Sequence, residues 1–198
     1  MSNALIVIDV QNDFCPGGAL AVPEGDHIVP GINALMAEFD TVVLTQDWHP
    51  AGHSSFASSH DGKSPYELID MPYGPQVLWP DHCVQGSEGA ALCVDLNVTR
   101  ANAIIRKGMN QAIDSYSAFF ENDQKTPTGL DGYLKSLGVV EITMAGLATD
   151  FCVQFSALDA ARLGFNVCVR QDLCRAIDLD GSLAAAEKAM DEAGISRI

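Results

Sequence analysis

Val139-Val140-Glu141-Ile142-Thr143-Met144-Ala145, then Gly146-Leu147-Ala148-Thr149-Asp150, then Phe151-Cys152: this stretch decides the fold. The first run is apolar and β-prone, as a buried strand requires, and the second is short and flexible. From Phe151 onward, Phe155, Leu158 and Ala161 recur at helical spacing, and Gly164 marks the stop. Cys152 therefore falls near a helix N-terminus at the carboxyl end of a strand. Unpaired N–H groups and the helix dipole favour a thiolate there. In open α/β sheets ligands bind at this same edge. The competing reading is plain packing, since a free cysteine behaves as a small apolar residue and the chain has six.

Working outward, β-type and helical runs alternate. Ala4-Leu5-Ile6-Val7-Ile8 is nearly all apolar, the mark of a parallel strand buried on both faces. Between Asp26 and Phe39, the residues Ile28, Val29, Ile32, Leu35, Met36 and Phe39 form one helical face, with His27 expected on the solvent side. Strands are expected over Thr41–Thr45, around Ala103-Ile104-Ile105, and over Phe165–Val169. A helix is expected over Gly129–Leu137, with Thr128 as N-cap, Asp131 at the capping-box position and Gly138 as stop. An Ala-rich helix follows over Gly181–Ala193, and Ser196-Arg197-Ile198 begins a last short strand. This alternation predicts an α/β fold: a doubly wound three-layer sandwich, with a mostly parallel central sheet and helices on both faces. Residues 1–198 read as a single domain, without internal repeat or linker. The exception to the alternation is 47–100, rich in His, Pro, Gly and Ser; so long a loop is usually functional.

Composition narrows the function. The net charge is −15, with only 11 Lys plus Arg, so the basic patch that nucleic acids or anionic membranes need is missing. A small neutral or cationic substrate is easily accommodated. No run approaches the roughly 18 apolar residues of a membrane span. The N-terminus carries no basic region or cleavage site, which makes the cytoplasm the expected location. The cysteines are scattered, with no CxxC pair, and indicate neither a disulfide scaffold nor a cysteine-rich zinc site. GxGxxG and Walker loops are absent.

Three constellations carry chemistry. Asp47-Trp48-His49-Pro50 follows the second strand, and side chains two apart in extended chain point the same way, so Asp47 and His49 can grip one ion. His82, in Trp79-Pro80-Asp81-His82-Cys83, lies in the same irregular region and can close the site. Four of the five histidines (His49, His53, His60, His82) fall there, although His60 has no motif neighbour. Such an oxygen and imidazole set suits Zn²⁺, and also Fe²⁺ or Mn²⁺; an isolated DxH pair more often marks a surface loop. Asp9 closes the first strand as either a loop cap or an active-site acid. Lys107 closes the third; a lysine there is ordinarily a solvated strand end, but beside a thiol it stabilises negative charge.

Together these segments resemble the nicotinamidase (pyrazinamidase) family of the isochorismatase-like cysteine hydrolases. The matching motifs are Ile8-Asp9-Val10-Gln11-Asn12-Asp13-Phe14, Asp47-Trp48-His49-Pro50, Trp79-Pro80-Asp81-His82-Cys83, Lys107-Gly108 and Gly146-Leu147-Ala148-Thr149-Asp150-Phe151-Cys152. They occur in family order over most of the chain. The resemblance implies a triad of Cys152, Asp9 and Lys107, with an oxyanion hole from the backbone N–H groups of Ala148 and Cys152. It also implies a non-proline cis bond mapping to Leu147–Ala148. A divalent metal, zinc foremost and iron or manganese as alternatives, would be bound by Asp47, His49 and His82. His53 is a further ligand in some members. Phe14, Trp79 and Tyr116 would sandwich a pyridine ring, and Gln11 would orient the triad at the edge of the substrate site. Phe151 stands where some members carry His.

The implied activity is amide hydrolysis of nicotinamide, and of pyrazinamide, through a thioester. It is a salvage step toward NAD. The expected partners are small molecules, with a homo-oligomer compatible with the same reading. Rival readings are another isochorismatase-like cysteine hydrolase acting on a different amide, a hydrolase using metal-activated water, and a metal-stabilised binding module without catalysis.

Overall fold

The computed structural model describes residues 2–198. Six strands, β1 (Ser2–Ile8), β2 (Thr41–Asp47), β5 (Ala103–Lys107), β6 (Val139–Leu147), β7 (Asn166–Arg175) and β8 (Ser196–Arg197), form one sheet in the order β5-β2-β1-β6-β7-β8. Every pairing in it is parallel. A separate antiparallel hairpin, β3 (Leu68–Met71) with β4 (Gly74–Val77), lies inside the long 47–100 segment.

The layers follow from alternation along β1. Leu5 and Val7 pack with Ile28, Val29, Ile32 and Leu35 of the α1 region (α1, Val29–Leu35). Ala4, Ile6 and Ile8 pack instead with residues of α2 (Leu130–Ser136), α3 (Gln154–Arg162) and α4 (Ser182–Glu192), among them Leu134, Ala157 and Met190. Successive side chains of a strand face opposite sides, so the sheet is covered on both faces. At about 1.5–3 kcal/mol for each large apolar side chain fully buried, β1 alone contributes substantially to the core.

Several elements differ from the sequence expectation. The helix expected over 26–39 is a short α1 flanked by 3₁₀ turns at Gly25–Ile28 and Met36–Glu38. Pro30 lies in the first turn of α1, where a missing N–H is tolerated. The apolar face is as expected, and His27 is exposed. Thr128 does not occupy the N-cap of α2; Gly129 does, at φ 98°. The Thr128 N–H is spent on the Phe119 carbonyl, so no capping box closes, and Asp131 pairs with Lys135 instead. β6 runs two residues beyond the expected end, to Leu147. It meets α3 through a π-helical turn, Thr149–Val153, with Leu147–Ala148 in the cis form.

β1 connects toward β2 on one side, and the chain returns to β6 on the other. A crevice at such a switch point opens at the carboxyl ends of the strands. Asp9, Asp47, Lys107 and Cys152 all stand there, on or just beyond β1, β2, β5 and β6.

Candidate active site

Strand ends position Asp9, Asp47 and Lys107, and the turn after β6 positions Cys152. Asp9 follows β1 at φ 48°. Its N–H donates to Thr45 Oγ1 at 3.1 Å, and the same hydroxyl donates to Asp9 Oδ1 at 2.5 Å. Across the sheet Asp47 and Lys107 are registered partners, so their side chains leave on the same face. Gly146, opposite Ile8, brings β6 close against β1: a Cβ there would lie 2.1 Å from the Ile8 carbonyl oxygen, so only glycine fits.

Lys107 is the hub. Its Nζ lies 2.9 Å from Asp9 Oδ2, 2.5 Å from Asp47 Oδ1, 2.8 Å from the Ser115 carbonyl and 3.5 Å from Cys152 Sγ. A buried ammonium is tolerable only with such partners. Burial alone would lower its pKa, but Asp47, Asp9 and Cys152 outweigh it and hold the amine well above its usual value. Asp47 is likewise opposed by burial, yet Lys107 and His49 keep it well below the usual carboxylate range. For Asp9 burial prevails, reinforced by Asp47 against Lys107, and the carboxyl is raised. Burial also pushes the Cys152 thiol well above its ordinary value, with Lys107 opposing and Asp9 and Asp47 adding to the rise. Burial thus works toward the thiol form of the resting sulfur, against the thiolate that a helix N-terminus favours.

Asp47 presents its other oxygen to two imidazoles: Oδ2 is 3.5 Å from His49 Nε2 and 3.8 Å from His82 Nε2. Carbonyls fix both rings, since His49 Nδ1–H donates to Gly108 at 3.0 Å and His82 Nδ1–H to Pro80 at 2.8 Å. The Nε2 lone pairs are thereby aimed at the Asp47 side, the usual second-layer support of a metal-ligating histidine. Donor atoms of Asp47, His49 and His82 lie within 4.8 Å of one another, which fits a divalent ion. His53 does not join this trio. Its Nδ1 accepts from the Ser55 N–H and lies 2.7 Å from Ser55 Oγ, while Nε2–H donates to the Asn110 carbonyl at 2.9 Å. Its close neighbours with donor atoms are His49 and Asp114.

A narrow cleft opens over Cys152 and Asp47, lined by Phe14, Trp79, Tyr116 and Phe151 among others. Trp79 and Phe151 meet edge-on, with centroids 4.9 Å apart, and Trp79 Nε1–H donates to the Tyr116 hydroxyl at 3.1 Å. His82 and Ala148 also face the cleft. In the turn beneath, the N–H groups of Phe151 and Val153 both donate to the Ala148 carbonyl, and that of Cys152 lies between them in the chain.

Gln11 corrects an expectation. It does not line the cleft: its Oε1 accepts from the Asp47 N–H, and its Nε2 donates to the Asp47 and Ala90 carbonyls, each at 2.8 Å. Every polar atom of the amide is used to hold the Asp47 backbone. Three residues without a sequence signal of their own join the site, as does Asp150, whose place in a motif did not reveal its partners. Leu20, Asp114 and Ile177 line the cleft. Asp150 accepts from the N–H groups of Ile177 and Asp178 and from Ser182 Oγ, tying the Cys152 turn to the start of α4. The Asp150 carboxylate precedes the thiol by two residues, but its partners lie 27 to 32 residues away.

The isochorismatase domain family model matches residues 3–195. A nicotinamidase of Acinetobacter baylyi is 55% identical over 195 residues, covering 98% of this chain and 91% of that protein. A solved nicotinamidase/pyrazinamidase structure from Acinetobacter baumannii superposes with a TM-score of 0.98 at 54% identity, covering 100% of this chain and 95% of that one. A pyrazinamidase of Pyrococcus horikoshii in complex with zinc superposes with a TM-score of 0.81 at 36% identity, covering 100% and 99%. A parallel sheet with a thiol, carboxylate and ammonium gathered at its switch point is the architecture of a hydrolase. The chain belongs to the isochorismatase domain family. Among the described residues no helix is long and apolar enough to cross a membrane.

Proposed function

We propose that this protein is a nicotinamidase, hydrolysing nicotinamide to nicotinate and ammonia and accepting pyrazinamide by the same route. The observation that carries the reading is the Lys107 ammonium, held between Asp9, Asp47 and Cys152 at the floor of an aromatic cleft. The Acinetobacter nicotinamidases support it through their similarity over nearly the whole chain.

The chemistry follows from the protonation states. Asp9, with its raised proton affinity, takes the Cys152 proton as sulfur attacks the carboxamide carbon. Lys107 stays charged and offsets the negative charge that passes from carboxylate to sulfur to carbonyl oxygen. Backbone N–H groups of Ala148 and Cys152 receive that oxygen. Asp9 returns the proton to the departing nitrogen, ammonia leaves, and a thioester remains. Water, deprotonated by Asp9, then attacks the thioester carbon; the carbon–sulfur bond breaks, Asp9 returns the proton to the Cys152 sulfur, and the acid is released and ionises to nicotinate.

Asp47, His49 and His82 would hold the divalent ion, with zinc favoured by the donor set and by the zinc-bound pyrazinamidase relative. Bound there, it supplies a Lewis acid for a ring nitrogen, orienting the substrate. Phe14, Trp79, Tyr116 and Phe151 enclose the ring's faces and edges, and Gln11 holds Asp47 in place. The family match over 3–195 supports one catalytic domain, and six free cysteines suit a reducing compartment such as the cytoplasm.

The test is ammonia release from nicotinamide by purified protein beside Cys152→Ala. Turnover by the native chain and a loss of about 10³-fold or more in the variant are expected. Near-normal ammonia release by Cys152→Ala would transfer the chemistry to metal-activated water and end the proposal.

A further inference from the structure

Cys15 and Cys93 are 78 positions apart in the chain, yet their Sγ atoms stand 3.0 Å apart. Neither lines the substrate cleft. Both border a surface hollow with Asp26, Asn33 and Asp95, and Cys15 borders a second one with Asn12 and Glu88. Both are largely buried, at 8% and 9% exposure, and the hollow they border is the route by which a small reagent would approach them.

The contact rests on a built framework. The segment after β1 runs alongside 89–93 through three backbone hydrogen bonds, Asn12 N–H to Ala91, Asp13 N–H to Gly89 and Cys93 N–H to Val10, the first and last of which make an antiparallel Gln11–Leu92 bridge. The two sulfurs are thus presented to each other by paired backbone, not by a chance meeting of loops.

We propose that Cys15 and Cys93 form a dithiol oxidation site, which a small-molecule disulfide converts to an intramolecular disulfide. The two sulfurs share one contact in which either S–H can donate. Donation by Cys15 favours a thiolate on Cys93 and makes Cys93 the first nucleophile. The Cys93 thiolate attacks one sulfur of the reagent, forms a mixed disulfide and expels one thiol, which carries away the Cys93 proton. Cys15 then attacks Cys93 Sγ, expels the second thiol and gives up its own proton. The protein loses two protons and two electrons, which the disulfide reagent takes up as it becomes two thiols.

The bond would staple the Phe14 segment to the one whose Ala90 carbonyl holds Gln11, without displacing either. The expected consequence is a protein that keeps its turnover and resists unfolding.

The test exposes the native protein to bis(2-hydroxyethyl) disulfide, alkylates remaining thiols with iodoacetamide and maps peptides by mass, which reads Cys152 separately. The expected product has Cys15 and Cys93 linked and unalkylated. Its melting temperature should rise by several degrees and fall back on adding dithiothreitol. Cys15→Ser and Cys93→Ser should each abolish both effects. Should either variant fail to fold, the native map still decides. Alkylation of both thiols after treatment, a lasting single adduct that never closes, or a bond to another cysteine would each overturn the proposal.

Discussion

Lys107 and Asp47 share one carboxylate oxygen contact, Nζ to Oδ1 at 2.5 Å, while the other Asp47 oxygen faces His49 and His82. The charge that steadies the thiol and the group that would hold an ion are therefore parts of one network. The β2–β5 register, Asp47 opposite Lys107, creates this coupling.

Removing the ammonium should damage both halves. Lys107→Ala leaves two buried carboxylates facing each other, and a loss of about 3–5 kcal/mol in stability is expected. Denaturant unfolding checks it, alongside nicotinamide turnover, which should fall to background. Lys107→Arg should not rescue turnover, because a planar guanidinium cannot reproduce a compact ammonium's contacts.

The pH dependence has a definite sign. Asp9 must be ionised to accept the thiol proton, and its pKa is raised above 3.8, chiefly by burial. Activity should thus be lost as pH falls through that raised value, placing the acid limb of kcat/KM above the ordinary carboxylate range. Asp9→Asn should cost at least about 10²-fold at every pH and abolish the limb. A pH–rate profile of both proteins reads this out.

Stripping metal with a chelator should raise KM for nicotinamide by about tenfold or more, roughly the worth of one good orienting contact. Benzamide lacks the ring nitrogen, so its slow hydrolysis should change little. Zinc addition should restore nicotinamide binding, with metal content measured on the same samples.

Asp150→Ala removes the acceptor for two backbone N–H groups and the Ser182 hydroxyl. Leaving buried donors unsatisfied costs about 1–3 kcal/mol each, so a clear drop in melting temperature is expected. Because Ile177 lines the cleft, KM for nicotinamide should also rise. Asp150→Asn, which keeps acceptor oxygen, should recover part of both.

Much of the site could be read from the chain because its residues terminate strands, and strand ends are marked by where apolar runs stop. Asp9, Asp47 and Lys107 are of this kind, and Cys152 lies in the turn that follows β6. The motif neighbours of Asp47 are legible too, since a two-residue spacing in extended chain is a geometric statement. Roles that depend on distant partners were not. Gln11 sits inside a recognisable motif, yet its amide holds a backbone 36 residues away. His53 has the right chemistry, but Ser55 and Asn110 occupy both of its nitrogens.

By itself the sequence determined the parallel α/β architecture, the chemical types brought near the strand ends and the strongly acidic net charge, because hydrophobic period and composition are local properties. Only the tertiary structure decided the burial of Cys152 beside Lys107, the sharing of Asp47 between ion trio and ammonium, and the Cys15–Cys93 contact. These depend on register, burial and the approach of residues far apart in the chain, and pairwise distance in a folded core is not encoded in any short window.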